Sequence, residues 1–191
     1  MARFTRAELE AFAGATVDNL LGPDVRLLFV GINPGLWTVA VNAHFARRGN
    51  RFWPALHRAG ITAELVDASG GMPADARAEL IGKGVGITNL VAVATARADE
   101  LSAEQLREGG ARLRRLVAEH RPAVVAILGL TAFRQAFGVR TAPLGRNAEA
   151  FEGAELWLLP NPSGLNAHHD LASLADWYRR AAVAAGVVDD P

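Results

Sequence analysis

The 191-residue chain contains no cysteine. This absence excludes disulfides, thiolate zinc sites, cysteine-ligated iron–sulfur clusters and a cysteine nucleophile. Histidine is scarce, with five in the chain, and none follows a metal-binding spacing such as H-E-x-x-H, so we expect no metal and no cofactor. Net charge is also lacking, because 20 basic residues balance 20 acidic ones. Any binding of nucleic acid must therefore come from local patches.

Long apolar runs are missing as well, and none approaches the length of a membrane span. The first residues, MARFTRAELEAF, are polar and periodic, which predicts no secretory signal. We therefore expect a cytoplasmic protein without a membrane partner. The length and the 50% hydrophobic content are typical of one globular domain. We expect that domain to span residues 1–191, with an N-terminal helical extension over 1–22 and a short tail over 186–191.

Apolar runs alternate with stretches of helical periodicity along the chain. Strands are predicted at residues 26–30, 84–91, 123–128 and 155–159, and helices at 5–20, 50–58, 102–121, from 131 onward and 170–185. The pairs Thr5–Glu8 and Ser102–Gln105 match the capping box that begins a helix. This alternation predicts an α/β fold, a three-layer α/β/α domain whose central sheet is mostly four-stranded and parallel.

Two similar turns follow two of the predicted strands. GINPG, residues 31–35, comes directly after RLLFV, and PNPSG, residues 160–164, comes directly after ELWLL. Ligands of open parallel sheets bind beyond the carboxyl ends of the strands, so both turns can face one crevice. Each proline restricts the asparagine before it, and each glycine allows close approach to the backbone. Two ordinary tight turns are the alternative, but their equivalent positions favour a shared site.

The first turn also limits the chemistry. It has neither the lysine of a phosphate-binding loop nor the G-x-G-x-x-G spacing, and the chain has no G-x-S-x-G nucleophile elbow. Asn33 offers a neutral amide, which can orient a water molecule but cannot act as a strong base. The sequence therefore favours a reaction whose leaving group departs easily.

The motifs together resemble the mismatch-specific uracil-DNA and thymine-DNA glycosylase family of the uracil-DNA glycosylase superfamily. The segments that carry the resemblance are GINPGL, HFARRGNRFW, ITNLV, ELSAEQLREGG, AVVAILG and LPNPSGL, in the right order over roughly residues 28–178. The resemblance implies the same three-layer fold. The missing cysteines separate the chain from the iron–sulfur branches, and the asparagine of GINPG separates it from the branch with aspartate there.

The resemblance also implies roles for residues near the first turn. Asn33 matches the catalytic asparagine, which positions the water that attacks C1′ of the deoxyribose. Phe45 matches the aromatic that stacks on the extruded base, although core packing is the alternative reading of such a residue. Base binding is implied for Ile32, Asn50 and Asn89, and phosphate contacts are expected from two neighbouring arginines, Arg47 and Arg48.

The second turn resembles the loop that penetrates DNA. Gly164 and Leu165 would enter the base stack in place of the flipped nucleotide, as apolar wedges do. Reading of the opposite base is implied for this loop, at Asn161, Ser163, Asn166 and His168. Some members of the family carry an arginine after this motif, where this chain has NAHHD. Strict preference for guanine opposite the lesion therefore stays open.

The loop VATARADE, residues 93–100, also departs from the family pattern. It carries Asp99 just before a predicted helix. One interpretation gives Asp99 a favourable charge at the helix N-terminus. The other makes it a general base that assists the catalytic water.

The resulting hypothesis is a monofunctional glycosylase that removes uracil from double-stranded DNA, acts as a monomer and begins base excision repair. G:U mismatches are the expected preference, with G:T as a further substrate to test. Monofunctional action follows because Lys83, the one lysine, lies outside both motifs. Two alternatives stay open: a damage-recognition module that does not cleave, and an enzyme acting on free uridine-type nucleosides.

Overall fold

The computed structural model describes residues 4–164 and 168–190. Its sheet contains strands β1 (Leu27–Gly31), β2 (Val85–Asn89), β3 (Val124–Leu128), β4 (Gly145–Arg146) and β5 (Glu155–Leu159). The strand order is β2-β1-β3-β5-β4. The first four strands in this order are parallel, and only the two-residue β4 runs antiparallel, beside β5. The predicted four-stranded parallel sheet is therefore confirmed, with one short strand added at its edge.

The described residues also form seven α-helices and one 3₁₀ turn, Ala98–Glu100. The helices are α1 (Arg6–Glu10), α2 (Leu36–Ala40), α3 (Phe52–Arg58), α4 (Ala74–Gly82), α5 (Ala103–His120), α6 (Leu130–Phe137) and α7 (Leu171–Ala184). The capping boxes at Thr5–Glu8 and Ser102–Gln105 are both present. In the described part of the chain, no helix has the length and apolar character needed to cross a membrane.

The sheet is covered on both faces, which explains the continuous apolar runs of its strands. In β1, Leu27 and Phe29 pack with α3 and α7, whereas Leu28 and Val30 pack with α5 and α6. Every residue of β1, β2 and β3 is buried. Such strands have no solvent-exposed face, as expected for a parallel sheet between two helical layers. The three-layer α/β/α prediction is confirmed.

The N-terminal segment differs from the prediction. The helix expected over residues 5–20 ends at Glu10, and Gly14 adopts a left-handed conformation with φ of 81°. The chain then runs in extended form: Thr16 forms an antiparallel bridge with Val93, and Leu20 forms one with Ile87 of β2. Tertiary pairing with the sheet and its loops therefore overrides the helical periodicity of the sequence.

Candidate active site

A cavity of about 180 Å³ opens at the carboxyl ends of β1, β2 and β3. Most of the lining comes from four segments: the turn after β1, the loop of residues 44–50, the loop after β2, and the turn after β5. Thr38 and Leu128 complete it. A cavity of roughly 150 Å³ holds one benzene ring, so this one suits a single planar ring. The two Asn-Pro turns meet here as the strand ends predicted, since Asn33 and Asn161 both line the cavity.

Asn33 is held by the loop after β2. Its Nδ2 donates to Thr95 Oγ1 at 2.7 Å, to Pro34 O at 3.2 Å and to Val93 O at 3.3 Å. The Thr95 hydroxyl donates its own proton to Arg97 O at 2.7 Å, so it can only accept from Asn33. This chain of donors fixes the amide orientation. Because Nδ2 makes these contacts, Oδ1 is the remaining acceptor of a side chain that lines the cavity.

Phe45 lies between the hydrophobic core and the cavity. It has a positive φ of 55°, which is uncommon for an aromatic residue. Its ring stacks on Phe52 with a centroid distance of 3.9 Å and an interplanar angle of 22°. Phe45 also lines the cavity. The ring therefore joins the core to the site, with Phe52 fixing its orientation.

Asn89 is buried beside the first turn. As the last residue of β2 it pairs with Gly31 of β1. A Cβ added at Gly31 would lie 2.5 Å from Asn89 Oδ1 and 3.1 Å from Phe45 Cζ. Only glycine at position 31 therefore lets both side chains reach the cavity.

His44 orients Asn89. His44 Nε2 lies 3.0 Å from Asp18 O, a carbonyl that can only accept, so Nε2 carries the proton. Burial of the imidazole lowers the pKa of His44 to about 4, although the Asp18 contacts oppose this. The neutral ring therefore presents Nδ1 as an acceptor to Asn89 Nδ2, at 3.3 Å. The Asn89 amide is thereby turned with its Nδ2 toward His44.

Ile32 and Asn50 also line the cavity. The carbonyl of Ile32 accepts from Val91 N at 2.9 Å, so it is engaged in linking the first turn to the loop after β2. Asn50 Oδ1 accepts from Phe52 N at 2.9 Å, which holds the start of α3. The structure thus brings together all the residues that the resemblance linked to base binding.

The second turn is packed against the loop of residues 47–51. Asn161 Oδ1 accepts from Ser163 N at 2.9 Å, an arrangement typical of an Asx turn. A Cβ at Gly164 would lie 2.7 Å from Gly49 O, so the two backbones are in close contact. Leu165 and Asn166, expected to act in the wedge, lie outside the described residues, as does Ala167. His168 is exposed and borders a separate groove beside the start of α6.

Arg51 connects the two stems of this second turn. Its backbone N–H donates to Pro162 O at 3.0 Å. Its guanidinium donates to Ser163 O at 2.7 Å and to His169 O at 2.5 Å. One side chain therefore ties together carbonyls on both sides of residues 164–168.

Two groups of neighbouring arginines lie in different parts of the structure. Arg47 and Arg48 are exposed and line a small groove together with Ser163 and Gly164, and Arg47 also lines the cavity. A second group of arginines, Arg112, Arg114 and Arg115, lies on α5. Arg112 donates to the carbonyl of Asn89, and Arg114 pairs with Glu152 at 2.6 Å.

The structure places Asp99 outside the cavity. Its carboxylate pairs with Arg97, and its side chain is 61% exposed. Arg97 and Ala98 line the cavity, whereas Asp99 is not among the lining residues. This geometry supports a charge near the start of α5 rather than contact with a bound water.

Two functional candidates were missed from the sequence. Thr95 holds Asn33, and His44 holds Asn89, yet neither stands in a recognisable motif of its own. The one usable signal was the position of His44 next to Phe45 in a segment that the resemblance already singled out. Among the described residues, no cluster of three or more potential metal-ligating side chains occurs.

The fold and the site define a parallel α/β protein whose ligand cleft is built from neutral amides, an aromatic platform and a basic rim. A comparison with protein families agrees with this class. The model of the uracil DNA glycosylase superfamily matches residues 19–185, and the chain belongs to that superfamily. Its general activity is that of a DNA N-glycosylase, a DNA-repair hydrolase, and the superfamily acts on DNA containing uracil.

Proposed function

We propose that the protein is a monofunctional glycosylase that hydrolyses the N-glycosidic bond of uracil in double-stranded DNA, with preference for G:U mismatches. The observation that carries the proposal is the orientation of Asn33. Three acceptors bind its Nδ2, at 2.7 to 3.3 Å, which leaves Oδ1 to accept a hydrogen bond from a water molecule in the cavity.

Hydrolysis needs the deoxyribose C1′ and this water in line. The target nucleotide must leave the duplex, because its glycosidic bond is out of reach inside the stack. As the bond between C1′ and N1 breaks, the base departs with the electron pair and positive charge develops on the sugar. The water held by Asn33 then adds to C1′, and its proton passes to solvent or to the departing base. Positioning of the water supplies the catalysis, without a strong base.

Uracil recognition is proposed to use Asn89. Its amide offers an acceptor and a donor, which complement the N3–H and a neighbouring carbonyl of uracil. Cytosine has no N3–H, so the same amide orientation disfavours it. Phe45 supplies the stacking face, while Thr38 occupies another part of the cavity wall. Acceptance of the thymine methyl group, and thus of G:T, is proposed to depend on the clearance beside Thr38.

Interaction with DNA is proposed to involve the second turn and the exposed arginines. Arg47 and Arg48 would contact phosphates, while residues 161–168 would fill the gap left by the flipped nucleotide and read the opposite base. Lys83 donates to Ile61 O and to Glu79, both at 2.8 Å. It precedes β2 and therefore lies at the amino ends of the strands, whereas the cavity opens at their carboxyl ends. This placement supports hydrolysis by water rather than attack by an amine.

The test is strand cleavage by alkali after incubation with duplexes that hold one G:U pair, with A:U duplexes and single strands in parallel. Asn33→Ala should lower the single-turnover rate by about 100-fold or more, because the water loses its positioning group. Asn147→Ala is the matched control, since Asn147 donates to loop carbonyls near β4, away from the cavity.

The outcomes separate the alternatives. Excision by the wild type that is lost in Asn33→Ala, but kept in Asn147→Ala, supports the proposal. Binding of the G:U duplex without any abasic product would instead indicate a recognition module. Activity on free deoxyuridine but not on duplex DNA would favour a nucleoside enzyme.

A further inference from the structure

The segment of residues 14–16 lies outside the part of the chain that matches the superfamily model, which begins at residue 19. It nevertheless pairs with the loop that reaches Asn33. Gly14 N donates to Ala94 O at 2.9 Å, and Ala94 N donates to Ala15 O at 2.8 Å. Thr16 completes an antiparallel bridge with Val93. The pairing is thus a short β-ladder between the N-terminal segment and the loop after β2.

The opposite edge of the same loop faces the first turn. Val93 O and Thr95 Oγ1 both accept from Asn33 Nδ2. Thr95 N donates to Pro34 O at 3.3 Å, and Thr95 forms a parallel bridge with Gly35. In an extended chain, the backbone N–H and C=O groups of one residue point to one edge of the strand, and those of the next residue point to the other edge. Ala94 therefore faces the N-terminal segment, while Val93 and Thr95 face Asn33.

Aromatic contacts also join the residues before Gly14 to helix α2, which follows the first turn. Phe4 lies edge-on to Trp37 of α2, with a centroid distance of 5.1 Å, and to Phe12 at 6.3 Å. Helix α2 begins directly after the first turn. The N-terminal segment therefore contacts both structures that flank Asn33, the loop after β2 and α2.

We infer that residues 14–16 are a positioning element for the catalytic step, holding residues 93–95 so that they fix the amide of Asn33. The inference rests on the proposed function for its kinetic test, but the holding of the loop can be measured without activity. Residues 14–16 are not among the residues that line the cavity. It acts through Ala94, whose neighbours bind Asn33.

The test uses a substitution with a matched control in the full chain. Gly14 and Gly153 have positive φ values of 81° and 89°, and a Cβ at either would have nothing within 4 Å. Valine is strained at such φ values, so Gly14→Val and Gly153→Val should impose similar backbone strain. Gly153 lies in the turn between Phe151 and Ala154, remote from the cavity.

The expected result is a fall of about 10-fold in the single-turnover excision rate at saturating enzyme for Gly14→Val, because small displacements of a positioning group are costly. Gly153→Val should keep the wild-type rate. A variant lacking residues 1–16 retains Asp18 and Leu20 and should show at least the same loss. In the Asn33→Ala background, Gly14→Val should cause no further fall, since both changes act on one water.

Amide hydrogen exchange supplies the second measurement. Thr95 N makes no hydrogen bond to residues 14–16, so faster exchange of Thr95 in Gly14→Val, but not in Gly153→Val, would show that the segment holds the far edge of the loop. Unchanged exchange at Thr95, or an equal rate loss in both glycine variants, would overturn the inference. If the wild type does not excise uracil, the proposed function fails, and the exchange at Thr95 alone decides whether the segment holds this loop.

Discussion

We predict that His44 contributes to the pH dependence of stability, because burial lowers the pKa of its imidazole. Its imidazole is 4% exposed, and burial lowers its pKa from 6.5 to about 4. The unfolded chain therefore binds more protons than the folded chain in this range. The stability contributed by the neutral ring is fully present above pH 6.5 and is lost as the pH falls toward 4. His44→Gln removes this titration while keeping a polar side chain of similar length.

The size of the effect follows from the shift. One pKa unit corresponds to about 1.4 kcal/mol, so the full loss below pH 4 is about 3 kcal/mol. Between about pH 7 and pH 5, the expected loss for the wild type relative to His44→Gln is about 2 kcal/mol. Protonation would also place an N–H at Nδ1 against Asn89 Nδ2, so the amide orientation should be lost over the same range.

The assay is urea unfolding of both proteins at several values between about pH 7 and pH 5. Carboxylates titrate in both, so their contributions cancel in the difference between the two unfolding free energies. At the higher pH the wild type should be clearly more stable than His44→Gln. The difference between their unfolding free energies should shrink as the pH falls. Parallel curves for the two proteins would refute the reasoning, because they would mean that His44 titrates alike in the folded and unfolded chains.

Three further predictions follow from single contacts. Arg51→Met should lower excision from duplexes more than from single strands, because it releases both stems of the second turn, and single-turnover rates on both substrates measure this. Gly31→Ala should abolish most excision, since its Cβ would lie 2.5 Å from Asn89 Oδ1, and the loss should appear in the same assay. Tyr178→Phe should raise the unfolding free energy by up to about 1 kcal/mol in urea titrations, because it removes a buried hydroxyl that lacks a hydrogen-bond partner among the described residues.

Each of these has its own control. Arg179 also donates to two backbone carbonyls, those of Ala59 and Asp189, but away from the cavity. Arg179→Met should therefore leave the ratio of duplex to single-strand rates unchanged, and an equal change in both arginine variants would contradict the role of Arg51. Gly35→Ala is the control for Gly31→Ala. A Cβ at Gly35 has nothing within 4 Å, so this variant should keep the excision that Gly31→Ala loses. For Tyr178→Phe, a large loss of stability would show that the hydroxyl has a partner.

The sequence predicted the sheet well because its strands are buried on both faces. Each of the four long strands begins within one residue of its predicted start. An apolar run bounded by turn residues is best buried as a central strand, so its ends are well defined by the sequence. The length of the helix after Thr5 was overestimated because its capping box and periodicity are local signals. Pairing of residues 14–16 with the loop after β2 is a long-range contact, which no local sequence pattern predicts.

The candidate site was predictable where it lay in motifs. Asn33, Phe45 and Asn89 all line the cavity, as the strand ends and the resemblance indicated. Thr95 and His44 were not foreseen, because each acts through the side chain of another residue. Such support depends on distance in the folded chain, and a hydroxyl or imidazole in a loop carries no spacing signal.

The stacking of Phe45 on Phe52 has a consequence for how the substrate range can evolve. Phe52 also contacts Phe29 and Tyr178, with centroids at 5.4 Å between Phe29 and Phe52 and 5.9 Å between Phe52 and Tyr178. Phe45 is thus joined through Phe52 to the aromatic rings of the core, so a change of its size should alter stability as well as the shape of the cavity. Under the proposed function, we expect a change of accepted base to arise more readily at Thr38, a lining residue outside this aromatic cluster.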